Sequence, residues 1–268
     1  MIKLICLDID GTLIDDNLNI PEANIKAVRH AYADCGVKVC TVSGRISQSS
    51  RFYMDRLGVS GPVSSLGGCL LENEKQEIIK EFNIDRDVCN RITEFAEKYH
   101  MSLLMYHHYN WYADGTTNPK WIESEYNATH VKGTRVSSFH SLLDTLLPNK
   151  FLAVNDNHDE IKLFQKELAA TCGDRINTFL SWPEFLEVVP PEANKGRAVL
   201  DLCSYYGFSK DEVMAVGDYY NDIFMFEQAG ISVAVANAPD EVKKRAFYTS
   251  EADNNHAAVA EAIEKFVG

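Results

Sequence analysis

The stretch L-I-C-L-D-I-D-G-T-L at residues 4–13 decides the fold class. Its first four residues form a short, continuous apolar run, which is typical of a strand buried on both faces in a parallel sheet. Polar residues follow the run at once, and Gly11 allows the chain to turn sharply. Ligand sites in open α/β sheets lie beyond the carboxyl ends of the strands, so Asp8 and Asp10 stand where a site would form.

Strand and helix patterns alternate after this stretch and return in the last third of the chain. Further strands are predicted at 37–42, 62–66, 213–217 and 231–235, and helices between Pro21 and Gly36 and at 47–57, 195–206, 220–229 and 256–267. Strands that alternate with helices of this length predict βαβ units. We therefore predict an α/β fold with a doubly wound, Rossmann-like parallel-sheet core.

The middle of the chain has a different texture. Between residues 83 and 188 it is more polar and more aromatic, and F-L-E-V-V at 185–189 alternates apolar with polar residues. Such alternation predicts an antiparallel sheet with one face in water. Helices are predicted at 85–99 and 158–171. We predict an inserted α+β domain at 83–188, with residues 1–82 and 189–268 forming one discontinuous core.

The charge balance argues against two classes of partner. The 268 residues include 26 Lys and Arg against 39 Asp and Glu, a formal net charge of −13, and no Lys- or Arg-rich run. Proteins that bind nucleic acid or an anionic membrane surface normally present a basic face, so we expect neither partner. An acidic protein that binds phosphate needs local positive charge from a cation, a lysine or helix N-termini.

Cysteine usage and apolar runs indicate the compartment. The seven cysteines are scattered and include no C-x-x-C pair, which predicts reduced, buried thiols. No stretch approaches the ~20 apolar residues of a membrane span. The N-terminal apolar run reaches Asp8 too early for a signal peptide. We expect a cytoplasmic protein that is a monomer or a small homo-oligomer.

The first acidic motif is the pair Asp8 and Asp10. Residues two apart on an extended chain point the same way, so both carboxylates can reach one site. They would repel each other unless a cation lies between them. The alternative is a turn in which the carboxylates only cap backbone amides.

The second acidic motif is G-D-Y-Y-N-D at 217–222, which also follows an apolar strand. Asp218 and Asp222 are one helical turn apart and can face one point. Helix capping is the alternative, and it explains one of the two carboxylates well. It explains less well why Asn221 and a second carboxylate stand beside the first.

Two further elements could hold an anion. Ser43, Gly44 and Arg45 end the second strand, where a hydroxyl and helix N-terminal amides can form a phosphate cradle. Lys195 stands at a predicted helix start, where the helix dipole disfavours a positive charge, so a bound anion is a natural reason for it. An ordinary turn and a solvated lysine are the respective alternatives.

In chain order the motifs are a carboxylate pair, a hydroxyl, a lysine and a second carboxylate pair. This order resembles the haloacid dehalogenase (HAD) superfamily, and above all its Cof-like phosphatases, in which a large α/β cap of type IIB is inserted between the second and third motifs. The resemblance covers essentially the whole chain. It implies a HAD-like catalytic core at 1–82 and 189–268 and a substrate-specificity cap at 83–188.

The resemblance also implies roles for individual residues. Asp8 matches the nucleophile that forms an aspartyl-phosphate, Asp10 the general acid and base, and Lys195 the lysine between nucleophile and phosphate. Residues that match the phosphate- or substrate-binding positions, or steady that loop, are Thr12, Ser43, Gly44, Arg45 and Asn221. Residues that match the metal site are Asp8, Asp10 (through its backbone carbonyl), Asp218 and Asp222, the last as a ligand or as a partner of the ligands.

The activity expected from this resemblance is Mg²⁺-dependent hydrolysis of small phosphorylated metabolites, such as sugar phosphates. Carboxylate oxygens suit Mg²⁺. Asp10 favours phosphate-ester cleavage, because a departing halide needs no proton. A phosphomutase or phosphotransferase of the same superfamily, or a phospho-aspartate signalling module, is the alternative.

Two positions depart from the family pattern. Leu66 stands in L-G-G where the family usually has Asn-Gly-Ala, and Asn194 precedes the lysine where the family usually has Ser. Asn237 in V-A-N-A matches the family's Asn-Ala near the last core strand.

Overall fold

Fourteen strands run through the computed structural model, which describes residues 1–268. The strands are β1 (Leu4–Leu7), β2 (Lys38–Val42), β3 (Val63–Ser65), β4 (Leu70–Glu72), β5 (Ile78–Glu81), β6 (Ser102–His107), β7 (Asn110–Ala113), β8 (Thr134–Arg135), β9 (Lys150–Val154), β10 (Asn177–Trp182), β11 (Phe185–Val189), β12 (Val213–Gly217), β13 (Ile231–Ala234) and β14 (Tyr248–Thr249).

Ten α-helices connect these strands. They are α1 (Glu22–Ala33), α2 (Ser47–Leu57), α3 (Arg86–Lys98), α4 (Pro119–Thr129), α5 (Phe139–Leu143), α6 (His158–Cys172), α7 (Lys195–Tyr206), α8 (Ile223–Phe226), α9 (Asp240–Lys243) and α10 (Ala258–Phe266). None of the helices combines the length and the apolar character that a membrane crossing needs.

The first sheet has eight strands in the order β14-β13-β12-β1-β2-β3-β4-β5. The six strands from β14 to β3 pair in parallel, and β4 turns back antiparallel to β3. β1 therefore lies in the middle, with Leu7 opposite Val216 of β12 and Thr41 of β2. Asp8 follows Leu7 at the edge where all the parallel strands end.

Helices cover both faces of this sheet. Ile5 and Leu7 belong to a core that also contains residues of α1, α2 and α10. Leu4 and Cys6, which point the other way, belong to a core with residues of α7, α8 and α9. All four side chains are fully buried, which explains why β1 is apolar throughout. The predicted doubly wound α/β fold is confirmed.

The second sheet has six strands in the order β10-β11-β9-β6-β7-β8. Its pairs are antiparallel except for β7 with β8. One face carries Leu103, Met105 and Phe151 in a core shared with α3, α5 and α6. This is the mixed α+β texture that the alternation in the middle of the chain indicates.

The chain divides into two compact units, Met1–Lys80 with Asn194–Gly268 and Glu81–Ala193. We call the second the cap unit. The sequence placed the divisions at 82/83 and 188/189. The later division lies beyond β11, because Val189 pairs with Asn177 of β10 and Pro191 O accepts a hydrogen bond from Asn177 Nδ2 at 2.8 Å.

Two local predictions were wrong. The helix predicted at 220–229 is a 3₁₀ turn at Tyr220–Asp222 followed by the four-residue α8. The Asp222 side chain accepts the amide hydrogens of Asp218 and Tyr219 and so replaces regular helical bonding there. Cys35 is exposed beside the C-terminus of α1, whereas the other six cysteines are buried; all seven are free thiols.

Candidate active site

Three neighbouring strands deliver the candidate residues to one edge of the first sheet. Asp8 follows β1, Ser43 follows β2 and Asp218 follows β12, and these strands are adjacent in the order β12-β1-β2. Because parallel strands end at the same edge, the three residues lie together although they are far apart in sequence. Asp8 is held in place by its backbone N–H, which donates to Val216 O at 3.0 Å.

Lys195 bridges the two acidic motifs. Its Nζ lies 2.6 Å from Asp8 Oδ1 and 2.5 Å from Asp222 Oδ1. The lysine is 3% exposed, so the alternative of a solvated surface residue is wrong. Burial alone would lower the pKa of Lys195, but the carboxylates of Asp222 and Asp8 raise it above its usual value. The helix-start lysine is therefore balanced by two anions of the protein itself.

Both carboxylate oxygens of Asp222 accept hydrogen bonds from the protein. Oδ1 accepts from Lys195, and Oδ2 accepts from the backbone N–H groups of Asp218 and Tyr219 at 2.8 and 2.9 Å. The side chain is completely buried. This geometry fits a brace for the Asp218 turn and for Lys195 better than a direct metal ligand.

Asp218 lies against the turn that follows Asp8. Its Oδ1 accepts a hydrogen bond from Thr12 Oγ1 at 3.1 Å. Gly11 has φ +72°, and a Cβ there would lie 2.4 Å from Asp218 Oδ2. Glycine is thus required twice, for the left-handed backbone and for the close approach of a carboxylate. Asn237 braces the same turn, because its Nδ2 donates to Gly11 O at 2.8 Å.

The site holds more negative than positive charge. Ligand atoms of Asp8, Asp218 and Asp222 all lie within 4.8 Å of one another, and Lys195 is a cation that contacts Asp8 and Asp222. Burial and the Asp222 carboxylate raise the pKa of Asp8 well above its usual range, against the effect of Lys195. The same two causes raise the pKa of Asp218 to about 6.

This donor set fits a hard divalent cation. Carboxylate oxygens are the ligands that Mg²⁺ prefers, and a cation would remove the repulsion that raises these pKa values. Asn221 adds a second observation, because its Oδ1 is buried with no hydrogen-bond partner in the protein. An unpaired buried carbonyl beside an acidic cluster is the kind of group that a bound cation or water would satisfy.

Asp10 does not join the carboxylate cluster. The backbone leaves the extended form after Asp8 and forms a turn at Ile9–Leu13, so the two carboxylates diverge. The Asp10 side chain is 54% exposed and is held by Arg45, whose Nε and second terminal nitrogen donate to its two oxygens at 2.8 and 2.7 Å. The expectation that the side chains of Asp8 and Asp10 reach the same point is therefore wrong.

Arg45 is itself positioned by two residues of α2. Its other terminal nitrogen donates to Ser49 Oγ at 2.9 Å, and its guanidinium lies 5.3 Å from the ring centre of Tyr53. The sequence predicted Arg45 as a phosphate- or substrate-binding residue, and its observed partner is Asp10. We did not identify Ser49 and Tyr53 from the sequence. Their spacing of four residues along α2 was the available signal.

Ser43 and Gly44 lie where the phosphate cradle was predicted. Ser43 is 1% exposed, and its Oγ accepts the backbone N–H of Arg45 at 3.2 Å. The next strand end packs against this turn, because Leu66 N–H donates to Arg45 O and Gly67 N–H donates to Ser43 O. Leu66 is fully buried with φ +54°. Leu66 thus contributes apolar packing where an asparagine was expected.

Asn194 directly precedes Lys195 in the third motif. Asn194 caps α7, since its side chain accepts the backbone N–H of Arg197 at 2.8 Å. The backbone of Gly68 packs closely against Asn194, and a Cβ on Gly68 would lie 2.3 Å from Asn194 O. Asn194 therefore replaces the expected serine as a helix cap. Asn221, predicted near phosphate and lysine, makes no hydrogen bond to Lys195 in this structure.

Comparison with known proteins agrees with this geometry. A family model described as haloacid dehalogenase-like hydrolase matches residues 5–263. The chain is 30% identical to a phosphoglycolate phosphatase of Methanobrevibacter smithii, with 99% of each chain covered. It is 29% identical to a 5-amino-6-(5-phospho-D-ribitylamino)uracil phosphatase of Bacillus subtilis, covering 99% of this chain and 96% of that one. A crystal structure of a haloacid dehalogenase-like hydrolase from Bacteroides thetaiotaomicron superposes with a TM-score of 0.89 at 30% identity, over 99% of each chain.

Proposed function

The chain belongs to the haloacid dehalogenase-like hydrolases, and on that premise we propose that it is a Mg²⁺-dependent phosphatase in which Asp8 is the nucleophile. The observation that carries the proposal is the contact between Asp8 and Lys195 inside the acidic cluster. A carboxylate can attack phosphorus only where the repulsion between two anions is offset. Lys195 and the expected cation supply that positive charge.

In the first step an oxygen of Asp8 attacks the phosphorus of the ester. The Asp8 O–P bond forms while the P–O bond to the alcohol breaks, which leaves an aspartyl-phosphate and an alkoxide. Protonated Asp10 gives its proton to the alkoxide, so the alcohol departs neutral. Lys195 stays within hydrogen-bond distance of Asp8 and limits the build-up of negative charge.

In the second step Asp10, now a carboxylate, takes a proton from a water molecule. The water oxygen attacks phosphorus, the Asp8 O–P bond breaks, and inorganic phosphate leaves. Asp10 is then protonated again and Asp8 is free. Because Arg45 donates to both oxygens of Asp10, protonation of either oxygen weakens one of these hydrogen bonds.

The residues that would hold Mg²⁺ are Asp8, Asp218 and the backbone carbonyl of Asp10, with Asp222 as the brace already described. Bound there, Mg²⁺ would offset the negative charge shared by the nucleophile and the phosphate. The Ser43 hydroxyl, the Gly44 amide and the Asn221 carboxamide are proposed to bind phosphate oxygens. Asn221 would do so through its Nδ2, because its Oδ1 can only accept hydrogen bonds.

We propose a small phosphorylated metabolite as the substrate and the cap unit as the part that selects it. The two relatives named above act on phosphoglycolate and on a phosphorylated ribityl compound, so the shared feature is a phosphate monoester on a small polar alcohol. The cytoplasmic location and a monomer or small homo-oligomer stay predictions.

The direct test is hydrolysis of p-nitrophenyl phosphate with Mg²⁺ and with EDTA, followed by a panel that includes phosphoglycolate and sugar phosphates. We expect phosphate release that needs Mg²⁺ and that falls about a thousandfold or more in Asp8→Asn. Asp15→Asn is the matched control, because Asn keeps the Oδ1 that accepts the N–H groups of Asn17 and Asn19. Full activity of Asp8→Asn would overturn the mechanism.

The same experiment separates the rival functions. Rapid formation of a phosphoprotein without phosphate release would favour a signalling module. Transfer of the phosphoryl group to a second sugar hydroxyl, with little free phosphate, would favour a phosphomutase or phosphotransferase.

A further inference from the structure

The turn at Ile9–Leu13 carries groups on which the proposed chemistry depends, and it follows the proposed nucleophile directly. Its backbone is irregular, since Asp10 has an extended ψ of 126° and Gly11 has a positive φ of 72°. Ile14 N–H donates to Ile9 O at 3.2 Å across the turn. Mixed backbone conformations do not give a repeating hydrogen-bond pattern, so the shape of the turn depends on contacts from the rest of the chain.

Three asparagine side chains supply such contacts by donating to backbone carbonyls of residues 11–14. They are Asn24, which donates to Leu13 O at 3.2 Å, Asn237, which donates to Gly11 O at 2.8 Å, and Asn254, which donates to Ile14 O at 3.1 Å. In this order they come from α1, from the loop after β13 and from the turn before α10. Three distant parts of the chain therefore fix the course of one short segment. We call the three residues the asparagine clamp.

The oxygen atoms of these side chains connect the clamp to the surrounding backbone. A carboxamide has both a donor and an acceptor, so one side chain can join two backbone segments. Asn237 Oδ1 accepts the backbone N–H of Asn254 at 3.1 Å, and Asn24 Oδ1 accepts that of Ala260, in the first turn of α10, at 2.9 Å. Asn24 is fully buried and Asn254 is 4% exposed, so water competes little for the hydrogen bonds of these two side chains.

The asparagine clamp opposes the charge repulsion inside the site. Asp8 precedes the turn and Asp218 lies against it, with Thr12 Oγ1 of the turn donating to Asp218 Oδ1 at 3.1 Å. Two ionised carboxylates this close repel each other, and the repulsion pushes the turn away from Asp218. Mg²⁺ demands a nearly ideal arrangement of oxygen ligands, so even a small displacement of Asp8 or of the Asp10 carbonyl weakens its binding.

We propose that the asparagine clamp positions the turn for Mg²⁺ binding and for the attack by Asp8. The three asparagines act through the carbonyls of residues 11–14, so they are positioning residues and not catalytic ones. The inference rests on the proposed function, because the shape of the turn affects activity only if Asp8 and Mg²⁺ act beside it. The alternative is that the three side chains only stabilise the fold.

The test is titration of the full chain with Mg²⁺ in a calorimeter, without substrate, for Asn237→Ala and Asn254→Ala. We expect each variant to bind Mg²⁺ about tenfold more weakly or worse, because partners that orient the ligands have this effect on metal affinity. Asn237 is exposed, so Asn237→Ala should fold even if the loss of the buried Asn254 side chain prevents folding. Unchanged Mg²⁺ affinity in Asn237→Ala would overturn the inference.

Asn149→Ala is the matched control, and it lies in the cap unit. Asn149 is fully buried and also joins two backbone segments, since its Nδ2 donates to Phe82 O at 2.9 Å and its Oδ1 accepts the His108 N–H at 2.8 Å. This variant should lose Tm as Asn254→Ala does, but it should bind Mg²⁺ as the unaltered protein does. An equal loss of Mg²⁺ affinity in Asn149→Ala would mean that destabilisation alone explains the effect, which would also overturn the inference.

Kinetics with p-nitrophenyl phosphate at saturating Mg²⁺ give a second measurement on the clamp variants. A misplaced nucleophile should lower kcat about tenfold or more, whereas KM should change less than about twofold, because the clamp does not bind the substrate. A raised KM with unchanged kcat would contradict the proposed role. If the unaltered protein binds Mg²⁺ but releases no phosphate, the proposed function fails, while the Mg²⁺ titration still decides whether the clamp positions the turn.

Discussion

Arg45 holds the Asp10 carboxylate by both oxygens, at 2.8 and 2.7 Å. This fork fixes the orientation of the residue proposed to handle the proton. Lysine keeps the charge but cannot form the fork. We expect Arg45→Lys to lower kcat/KM about tenfold or more for alkyl phosphates, whose alkoxide needs a proton, and less for p-nitrophenyl phosphate, whose leaving group does not. Steady-state kinetics on both substrates checks this.

The control for that experiment is Arg56→Lys. Arg56 lies on the same helix and stacks on Phe52, outside the site. It should leave both substrates unaffected. An equal loss on both substrates in Arg45→Lys would mean that Arg45 acts on the phosphate and not through Asp10.

Lys195 should stabilise the fold as well as the nucleophile. Lys195→Met leaves buried carboxylates without their cation, which should lower the free energy of unfolding by about 3–5 kcal/mol in EDTA. Lys3→Met breaks an ion pair with Glu212 in which Lys3 is half exposed, and should cost at most about 1 kcal/mol. Urea unfolding of both variants measures the difference. Similar losses would show that the Lys195 pair contributes no more than a surface pair.

Mg²⁺ should stabilise the protein more at neutral pH than in mild acid. The pKa of Asp218 rises from 3.8 to about 6 on folding, so the folded state binds more protons between those values. Without a cation, stability contributed by this group therefore falls as pH rises through that window, and Asp8 adds to the trend. Mg²⁺ offsets the repulsion between the carboxylates once Asp218 and Asp8 have lost their protons. We expect the gain in Tm from Mg²⁺ over EDTA to be larger at pH 7.5 than at pH 5, and to shrink in Asp218→Asn. A gain that does not change with pH would contradict this.

Alanine variants of Gly11 and Gly36 distinguish the effect of backbone strain from the effect of a steric clash at the site. Both have φ near +70°, but a Cβ on Gly36 meets nothing within 4 Å, whereas one on Gly11 meets Asp218 Oδ2 at 2.4 Å. Each alanine variant should lose about 1 kcal/mol from the left-handed backbone. Only Gly11→Ala displaces Asp218, and it should lose about a hundredfold in kcat/KM. Equal activity of the two variants would rule out the close approach as a functional requirement.

Much of the core could be read from local patterns. The apolar run before Asp8 predicts a strand buried on both faces, and β1 is buried at all four positions. Gly58 and Gly207 mark the ends of α2 and α7, where both adopt the left-handed conformation that glycine tolerates. These features depend on residues that are neighbours in sequence, so a window of the sequence contains the information.

The helix expected at 220–229 shows where such patterns fail. Its residues have ordinary helical character, but the Asp222 carboxylate binds the backbone N–H groups of Asp218 and Tyr219. A side chain that competes for backbone hydrogens tightens the first turn, and apolar periodicity does not reveal that competition.

The sequence by itself determined which side chains stand at the strand ends, because apolar runs and turn residues act locally. Asp8, Ser43 and Asp218 were identified in this way, and Lys195 was identified by its position at the start of a helix. Only the tertiary structure decided their partners. Lys195 contacts Asp8, which is 187 residues away in sequence, and Arg45 binds Asp10, which is 35 residues away. Such contacts follow from strand order and side-chain orientation, which are properties of the packed chain and not of any short segment of it.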